Sequence, residues 1–387
     1  MDNFQWNIPT NLLFGKNQID NLPSAIEGLG KRLLFVYGGG SIKKIGIYDK
    51  VKSLLSDYEI TELSDIQPNP EIESVREGVR LCRANNIDAI VACGGGSVID
   101  AAKVIAVSVS YDGDPWDIME NQRLIKDGLP IVTILTLAAS GSEMARSAVI
   151  SNNLFHRKLA IGAIPFYPRV SICDPTYLYT LPQKQTSAGI ADIFSHAMEM
   201  YFNETMGAYL SDRIAEAIMI TCVHYGSILM EEPENYEARA NIMWAGTQAA
   251  NGTIRWGRGK VVFPCHGIEH ELGAYYDITH GDGLAILMPN WMKYTLNDDT
   301  LPQYSAFARN VWNIIENDDR CAAEKGIEAF EGFLKSLYLP SSLSEVGIET
   351  EDLFEEMAGN AVVNGGLSNA FVKLDKEDVL HILRMSM

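Results

Sequence analysis

AIVACGGGSVIDAAKVIAVSV, residues 89–109, decides the fold. It begins as a continuous apolar run, passes through three glycines and a serine, and continues with the spacing of a buried helix. A run with no polar alternation suits a strand covered on both faces, which is the environment of a parallel sheet between helices. A glycine turn between strand and helix lets the backbone approach a phosphate, and the helix N-terminus adds free N–H groups and partial positive charge. The unit recurs upstream. RLLFVY at 32–37 runs into GGGS at 38–41 and then into a helical pattern to about Leu55. Residues 58–63 suggest a strand and 71–85 a helix. A third apolar strand, 131–135, ends in the small-residue turn 136–142. Strands alternating with helices give an α/β domain with a mostly parallel sheet, whose βα turns share one ligand-binding edge. Residues 4–14, around Pro9, read as an edge hairpin.

Past Leu181 and Pro182 the texture changes to long periodic stretches, at 184–203, 206–230, 233–251, 321–337 and 350–362. The expected organisation is therefore an α/β domain over 1–182, with the glycine turns for a dinucleotide, and an all-helical domain over 183–387. Two domains also suit 387 residues.

Composition narrows the function. Lys and Arg number 31 against 50 Asp and Glu, a net charge of −19, which disfavours nucleic acid and anionic membrane as partners. No continuous run of about 18 apolar residues argues for a membrane span. The opening MDNFQW has neither the basic nor the apolar region of a secretory signal. Six scattered cysteines without a CxxC pair read as reduced thiols, so a cytoplasmic protein is expected.

Neither glycine loop is the GxGxxG fingerprint. No acidic residue stands after the first strand where one would hold an adenosine ribose 2′-hydroxyl. Small donors at Gly38, Gly39 and Ser41, with Lys43 and Lys44 beyond, would accept a 2′-phosphate, which favours NADP(H) with NAD(H) as the alternative.

The seven histidines are unevenly placed, with three of them at 266, 270 and 280. Asp192 and His196, in GIADIFSHAMEMYF, are four residues apart and share a helical face, as do His266 and His270. One carboxylate with several imidazoles suits Zn²⁺ or Fe²⁺ rather than Mg²⁺ or Ca²⁺. His156, His224 and His381 stand alone and read as structural or surface residues.

Together these features resemble the iron-containing (type III) alcohol dehydrogenases, and within them the NADP-dependent butanol dehydrogenase branch. The resemblance spans essentially the whole chain. It rests on YGGGSIKK at 37–44, GGGSVIDAAK at 94–103, TLAASGSE at 136–143 and CHGIEHELGAYYDITHGDGLAILMP at 265–289. It implies a dehydroquinate synthase-like fold and a homodimer or larger assembly to which the N-terminal strands contribute. It implies that Asp192, His196, His266 and His280 are metal ligands and that His270 faces substrate and nicotinamide. It further implies cofactor contacts at Gly95, Gly96, Ser97 and Asp100, at Thr136 and Leu137, at Lys158, at Asn69 on the adenosine side, and at Gly38, Gly39 and Ser41 near the 2′ position. The third turn departs from the family's usual TTAGT or TxAAT, so it offers fewer hydroxyls.

The expected activity is hydride transfer between the nicotinamide and a short-chain primary alcohol or aldehyde such as butanol or butanal. Fe²⁺ or Zn²⁺ would polarise the substrate oxygen and His270 would relay the proton, with the reacting groups brought together in an interdomain cleft. Two other readings share these features: a glycerol dehydrogenase or dehydroquinate synthase-like lyase on the same scaffold, and a non-catalytic nucleotide-binding protein. The lyase needs a dense cationic cluster, for which only Arg255, Arg258 and Lys260 lie close in sequence.

Overall fold

The computed structural model describes residues 1–205 and 207–387. The chain divides into two compact units. One comprises Asn7–Leu181 and Pro233–Asn251. The other comprises Met1–Trp6, Pro182–Glu232 and Gly252–Met387.

The first unit contains β1 (Asn11–Phe14), α1 (Leu22–Ala25), β2 (Arg32–Tyr37), α2 (Ser41–Lys44), α3 (Ile47–Leu54), β3 (Glu59–Leu63), α4 (Ile72–Ala84), β4 (Ala89–Gly94), α5 (Gly96–Ser108) and α6 (Pro115–Glu120). It continues through β5 (Ile131–Leu135), β6 (Ser147–Asn152), β7 (Arg157–Gly162) and β8 (Val170–Cys173). Six strands form one sheet in the order β1-β8-β5-β4-β2-β3, and every pairing in it is parallel. All residues of β4 and β5 are buried, as their uninterrupted apolar sequences require. Leu33, Phe35, Val91, Ile134 and Ile172 form part of the core on one face.

Several expectations change here. The helical pattern after residue 41 breaks at Gly46, which has φ of 78°, giving α2 and α3 in place of one helix. Residues 4–14 form no hairpin. Pro9 has no N–H to give a ladder, and β1 pairs instead with β8, parallel and remote in sequence. The antiparallel hairpin β6–β7 was not anticipated from the sequence at all.

The second unit holds α7 (Gln183–Tyr201) and α8 (Tyr209–Glu231). The helix α9 (Tyr236–Ala250) follows them in sequence. Then come α10 (Pro264–Tyr276), α11 (His280–Thr295), α12 (Leu301–Trp312), α13 (Asp319–Ser336), α14 (Phe354–Asn364) and α15 (Lys376–Met385). Its core includes Phe194 of α7 stacked on Phe330 of α13 with centroids 4.6 Å apart. The helix α8 is long and apolar enough to cross a bilayer, with a mean hydropathy of 1.2, although no uninterrupted apolar run marks it. It packs against α7 and α12 within this unit.

One helix sits on the other side of the expected division. Residues of α9 belong with the α/β unit, and the break in the chain's packing is not a single point. Trp244 meets the ring of Phe14 edge-on at 5.9 Å. Thr247 Oγ1 donates to Glu143 Oε1 at 2.6 Å. Gly141, at φ of 63°, lies so near Gly246 that a Cβ on it would stand 2.5 Å from the Gly246 carbonyl oxygen. Periodicity identifies a helix; it does not say which core the helix joins.

Candidate metal centre and cofactor turns

The helix α7 is buried on almost every face, so a carboxylate within it is costly unless a cation compensates it. Asp192 stands there, 4% exposed. One turn later on the same helix, His196 places Nε2 3.3 Å from Asp192 Oδ1. His266, in the first turn of α10, and His280, the first residue of α11, each bring Nε2 to 3.7 Å from the same oxygen. A tetrahedral site with metal–ligand bonds of about 2.1 Å has ligand-to-ligand edges of about 3.4 Å. The donor atoms thus stand apart by the width of a bound ion. Asp192, His196 and His266 form the tightest group, with donor atoms within 4.8 Å of one another. Asp192 Oδ1 and His266 Nε2 are sealed from solvent and have no hydrogen-bond partner. Orphaned atoms that each present a lone pair and converge in this way fit a divalent ion of the Fe²⁺ or Zn²⁺ kind.

The other ring nitrogen of two histidines is held by a carboxylate. Glu199 Oε2 bonds His266 Nδ1, and its Oε1 accepts the N–H of Cys265 at 2.6 Å. Glu269 Oε2 bonds His280 Nδ1. Both glutamates are buried, at 1% and 0% exposure. A carboxylate on Nδ1 fixes the tautomer and turns Nε2 toward the ion. Burial alone would raise the carboxyl of Asp192, but His196, His266 and His280 hold it well below the usual range. Burial likewise opposes a charged His266, while Glu199 and Asp192 push it up to about 10. The pocket is built for positive charge. Phe263 closes one side, its ring edge-on to His196 and His266 at 5.8 and 5.4 Å.

The glycine turns are assembled within the α/β unit. The strand order reverses between β2 and β4, which are neighbours although β3 follows β2 in sequence. Tyr37 pairs with Cys93, so residues 38–41 and 94–97 leave the sheet side by side at its carboxyl edge. Such a switch point is where open α/β sheets bind ligands. The third turn joins them: Thr136 N–H donates to Gly94 O at 3.0 Å, Leu137 packs on Gly95, and a Cβ on Gly96 would meet Ser140 Oγ at 2.4 Å. The N-cap of α5, Gly95, has no side-chain cap.

Comparison with known proteins places the whole chain in one family. The model of the iron-containing alcohol dehydrogenase matches residues 9–175, and that of the Fe-containing alcohol dehydrogenase family, C-terminal, matches residues 186–387. The chain belongs to the iron-containing alcohol dehydrogenase family. It is 49% identical to the NADH-dependent butanol dehydrogenase A of Clostridium acetobutylicum, with all of both chains covered. It is 38% identical to the NADPH-dependent aldehyde reductase YqhD of Escherichia coli over 90% of each. The crystal structure of NADH-dependent butanol dehydrogenase A from Thermotoga maritima superposes with a TM-score of 0.95 at 38% identity, covering 100% of this chain and 99% of that one.

In this iron-containing alcohol dehydrogenase the four expected ligands meet, and His270 lies beside them, its ring centroid 6.4 Å from that of His266 and 6.0 Å from that of His280. Gly38, Gly39, Ser41, Gly95, Gly96, Ser97, Thr136 and Leu137 lie on the three adjacent turns. Asn69 is in the segment between β3 and α4, with φ of 51°. Lys158 stands on β7 opposite Ser151 and is 5% exposed. Asp100 sits one turn into α5, and its carboxylate accepts from Ser142 Oγ at 2.5 Å and from Val149 N–H at 2.9 Å. Sequence reasoning missed Glu199 and Glu269. The signal was present: Glu199 follows His196 by three residues and Glu269 follows His266 by three, on the faces the ligands occupy. Of the basic residues considered for a lyase, Arg258 is buried and committed to Asp212 at 2.6 Å and to Ile254 O at 2.8 Å.

Proposed function

We propose that the protein interconverts short-chain aldehydes and primary alcohols, butanal and butanol among them, using NADP(H) and the ligand set Asp192, His196, His266 and His280. The convergence of three imidazole Nε2 atoms on Asp192 Oδ1 carries this reading, since one carboxylate ringed by imidazoles is a donor set for a divalent ion of the Fe²⁺ or Zn²⁺ kind. A divalent ion held by Asp192, His196, His266 and His280 would supply Lewis-acid polarisation of the substrate oxygen, and a nicotinamide bound at the glycine turns would supply the hydride chemistry. Asp192 compensates the ion's charge, and Glu199 and Glu269 hold the imidazoles in register. Phe263 covers the ligands and keeps water from that side. His270, half-buried beside the ligands, passes the alcohol's proton between the site and solvent through a ring nitrogen.

The α/β unit supplies the cofactor site. Residues 38–41 and 94–97 and the turn 136–142 bind the dinucleotide, with the pyrophosphate at the N-terminus of α5. The preference for NADP(H) is supported by exposed Gly39, Gly40 and Ser41 and by Lys43, whose ammonium lies over the rings of Tyr37 and Tyr48 at 5.2 and 4.9 Å. Asp65, whose N–H donates to Gly38 O, is the carboxylate beside this corner, and it accepts from Ser64 Oγ at 2.5 Å. The names of the butanol dehydrogenase relatives favour NAD(H) as the second reading. The place of β1 at the edge of the sheet supports a homo-oligomer, and six free thiols suit a reducing compartment such as the cytoplasm.

The test is a panel of straight-chain aldehydes of roughly two to eight carbons, reduced with NADPH and with NADH. It uses metal-stripped protein to which Fe²⁺ or Zn²⁺ is returned. Reduction that depends on added metal and is faster with NADPH supports the proposal. Equal turnover by stripped protein overturns it.

A further inference from the structure

Lys103 has no solvent exposure at all, an unusual place for an ammonium group. It lies on α5, nearly two turns beyond Gly96. Its Nζ reaches the carbonyl oxygens of Ser142, Ala145 and Ser147 at 2.7, 3.0 and 2.8 Å, and Ser142 Oγ at 2.7 Å. Among the described residues no carboxylate pairs with it directly, although Asp100 and Glu143 lie close by. These acceptors all belong to the strand of chain that leaves the third cofactor turn and enters β6.

The direction of each hydrogen bond follows from the chemistry. An ammonium only donates, so Ser142 Oγ accepts from Lys103 and must give its single proton to Asp100 Oδ1, 2.5 Å away. The other oxygen of Asp100 takes the N–H of Val149 at 2.9 Å. Two residues on one face of α5, three apart, thereby grip the segment 142–149 along its length. The segment is secured on its far side as well. Ser171 Oγ donates to Glu143 O at 2.6 Å, and Thr247 Oγ1 donates to Glu143 Oε1. Gly96, at the start of the same helix, touches Ser140.

We infer that Lys103 is a positioning residue for the cofactor: through Ser142 and the carbonyls beyond it, it locks the turn 136–142 at a set distance from the N-terminus of α5, so that dinucleotide binding meets a preformed pocket. This rests on the proposed placement of the cofactor at those turns. Lys103→Met fills the volume but supplies no donors, which removes these four hydrogen bonds, leaves Ser142 Oγ held by Asp100 alone and frees the turn to shift. An arginine keeps the charge and donors.

The experiment measures NADPH affinity by fluorescence titration and steady-state kinetics on the metal-loaded enzyme. Lys103→Met is expected to raise the cofactor Kd and KM roughly tenfold or more, with kcat and the aldehyde KM little changed. Lys103→Arg is expected to recover much of the loss. A folded Lys103→Met protein with wild-type cofactor affinity overturns the inference. Should Lys103→Met fail to fold, Ser142→Ala decides: a severalfold rise in Kd supports the inference, and no change overturns it. Gly96→Val separates the two levels. If it leaves NADPH binding intact, the cofactor lies elsewhere and the inference falls with that placement. If it abolishes binding while Lys103→Met and Ser142→Ala do not affect it, the placement stands and the positioning role alone fails.

Discussion

Gly281 runs so close to Ala188 that a Cβ built on it would stand 2.2 Å from the Ala188 carbonyl oxygen. Gly281 is the residue after His280, and Ala188 lies one turn before Asp192 on α7. The absence of a side chain at 281 is therefore what lets the start of α11 settle on α7 and brings His280 Nε2 within 3.7 Å of Asp192 Oδ1.

Gly281→Ala tests this approach. The added methyl has backbone rather than a flexible side chain to displace, so the helices must separate. The expected result is a loss of about 1–3 kcal/mol in stability and weaker metal retention. Urea denaturation and metal analysis after dialysis measure the two. Unchanged metal content would show that His280 does not depend on this contact.

His266→Ala removes the most buried of the imidazole ligands and leaves Asp192 with one less partner. Metal retention should be abolished and aldehyde reduction lost with it, as read by elemental analysis of the purified variant. A variant that kept full metal and activity would remove His266 from the ligand set.

Glu199→Gln and Glu269→Gln keep size and shape while removing the negative charge behind His266 and His280. Each should lower metal affinity roughly 10–100-fold, measured by competition with a chelator. A glutamine substitution that leaves the affinity unchanged would mean that the carboxylates hold the helices together and do not tune the ligands.

Asp88 offers a pH test remote from the centre. Its carboxylate accepts from Arg32 Nη2 at 2.7 Å and Arg32 Nε at 3.1 Å, and from the N–H groups of Lys31 and Arg32, both at 3.0 Å. The Arg32 side chain first, then these backbone donors, hold its carboxyl well below the usual value. A lowered native pKa contributes stability that is in place above about pH 4 and is lost as the pH falls toward the native value. Asp88→Asn should cost roughly 1–2 kcal/mol at neutral pH, a figure kept modest because Arg32 is 42% exposed. The gap from wild type should narrow below about pH 4. A gap independent of pH would assign the effect to packing.

Much of the α/β unit was legible because its signals are local. An apolar run followed by GGGS and a helical pattern reports burial on both faces and a tight turn, and β2, β4 and β5 appear where those runs lie. The hairpin β6–β7 was not legible. Its strands mix polar and apolar residues, and β7 is mostly half-buried, so neither a clear alternation nor a continuous apolar run stands out. The separate helices α2 and α3 escaped because the pattern stays apolar across Gly46 while the backbone turns left-handed there.

Sequence by itself determined the donor types, the i and i+4 spacing that puts Asp192 and His196 on one face, and the glycines that allow close backbone approach. These depend only on chemical identity and helix geometry. Tertiary structure alone decided that Asp192 meets His266 and His280, that Glu199 and Glu269 stand behind two of the rings, and that α9 joins the α/β unit. It also decided that Asp100 and Lys103 close on Ser142. Each of these depends on which helices pack together and how near they come, and that is set by the volumes of small residues such as Gly141, Gly246 and Gly281 at the contacts, far apart in the chain from the groups they align.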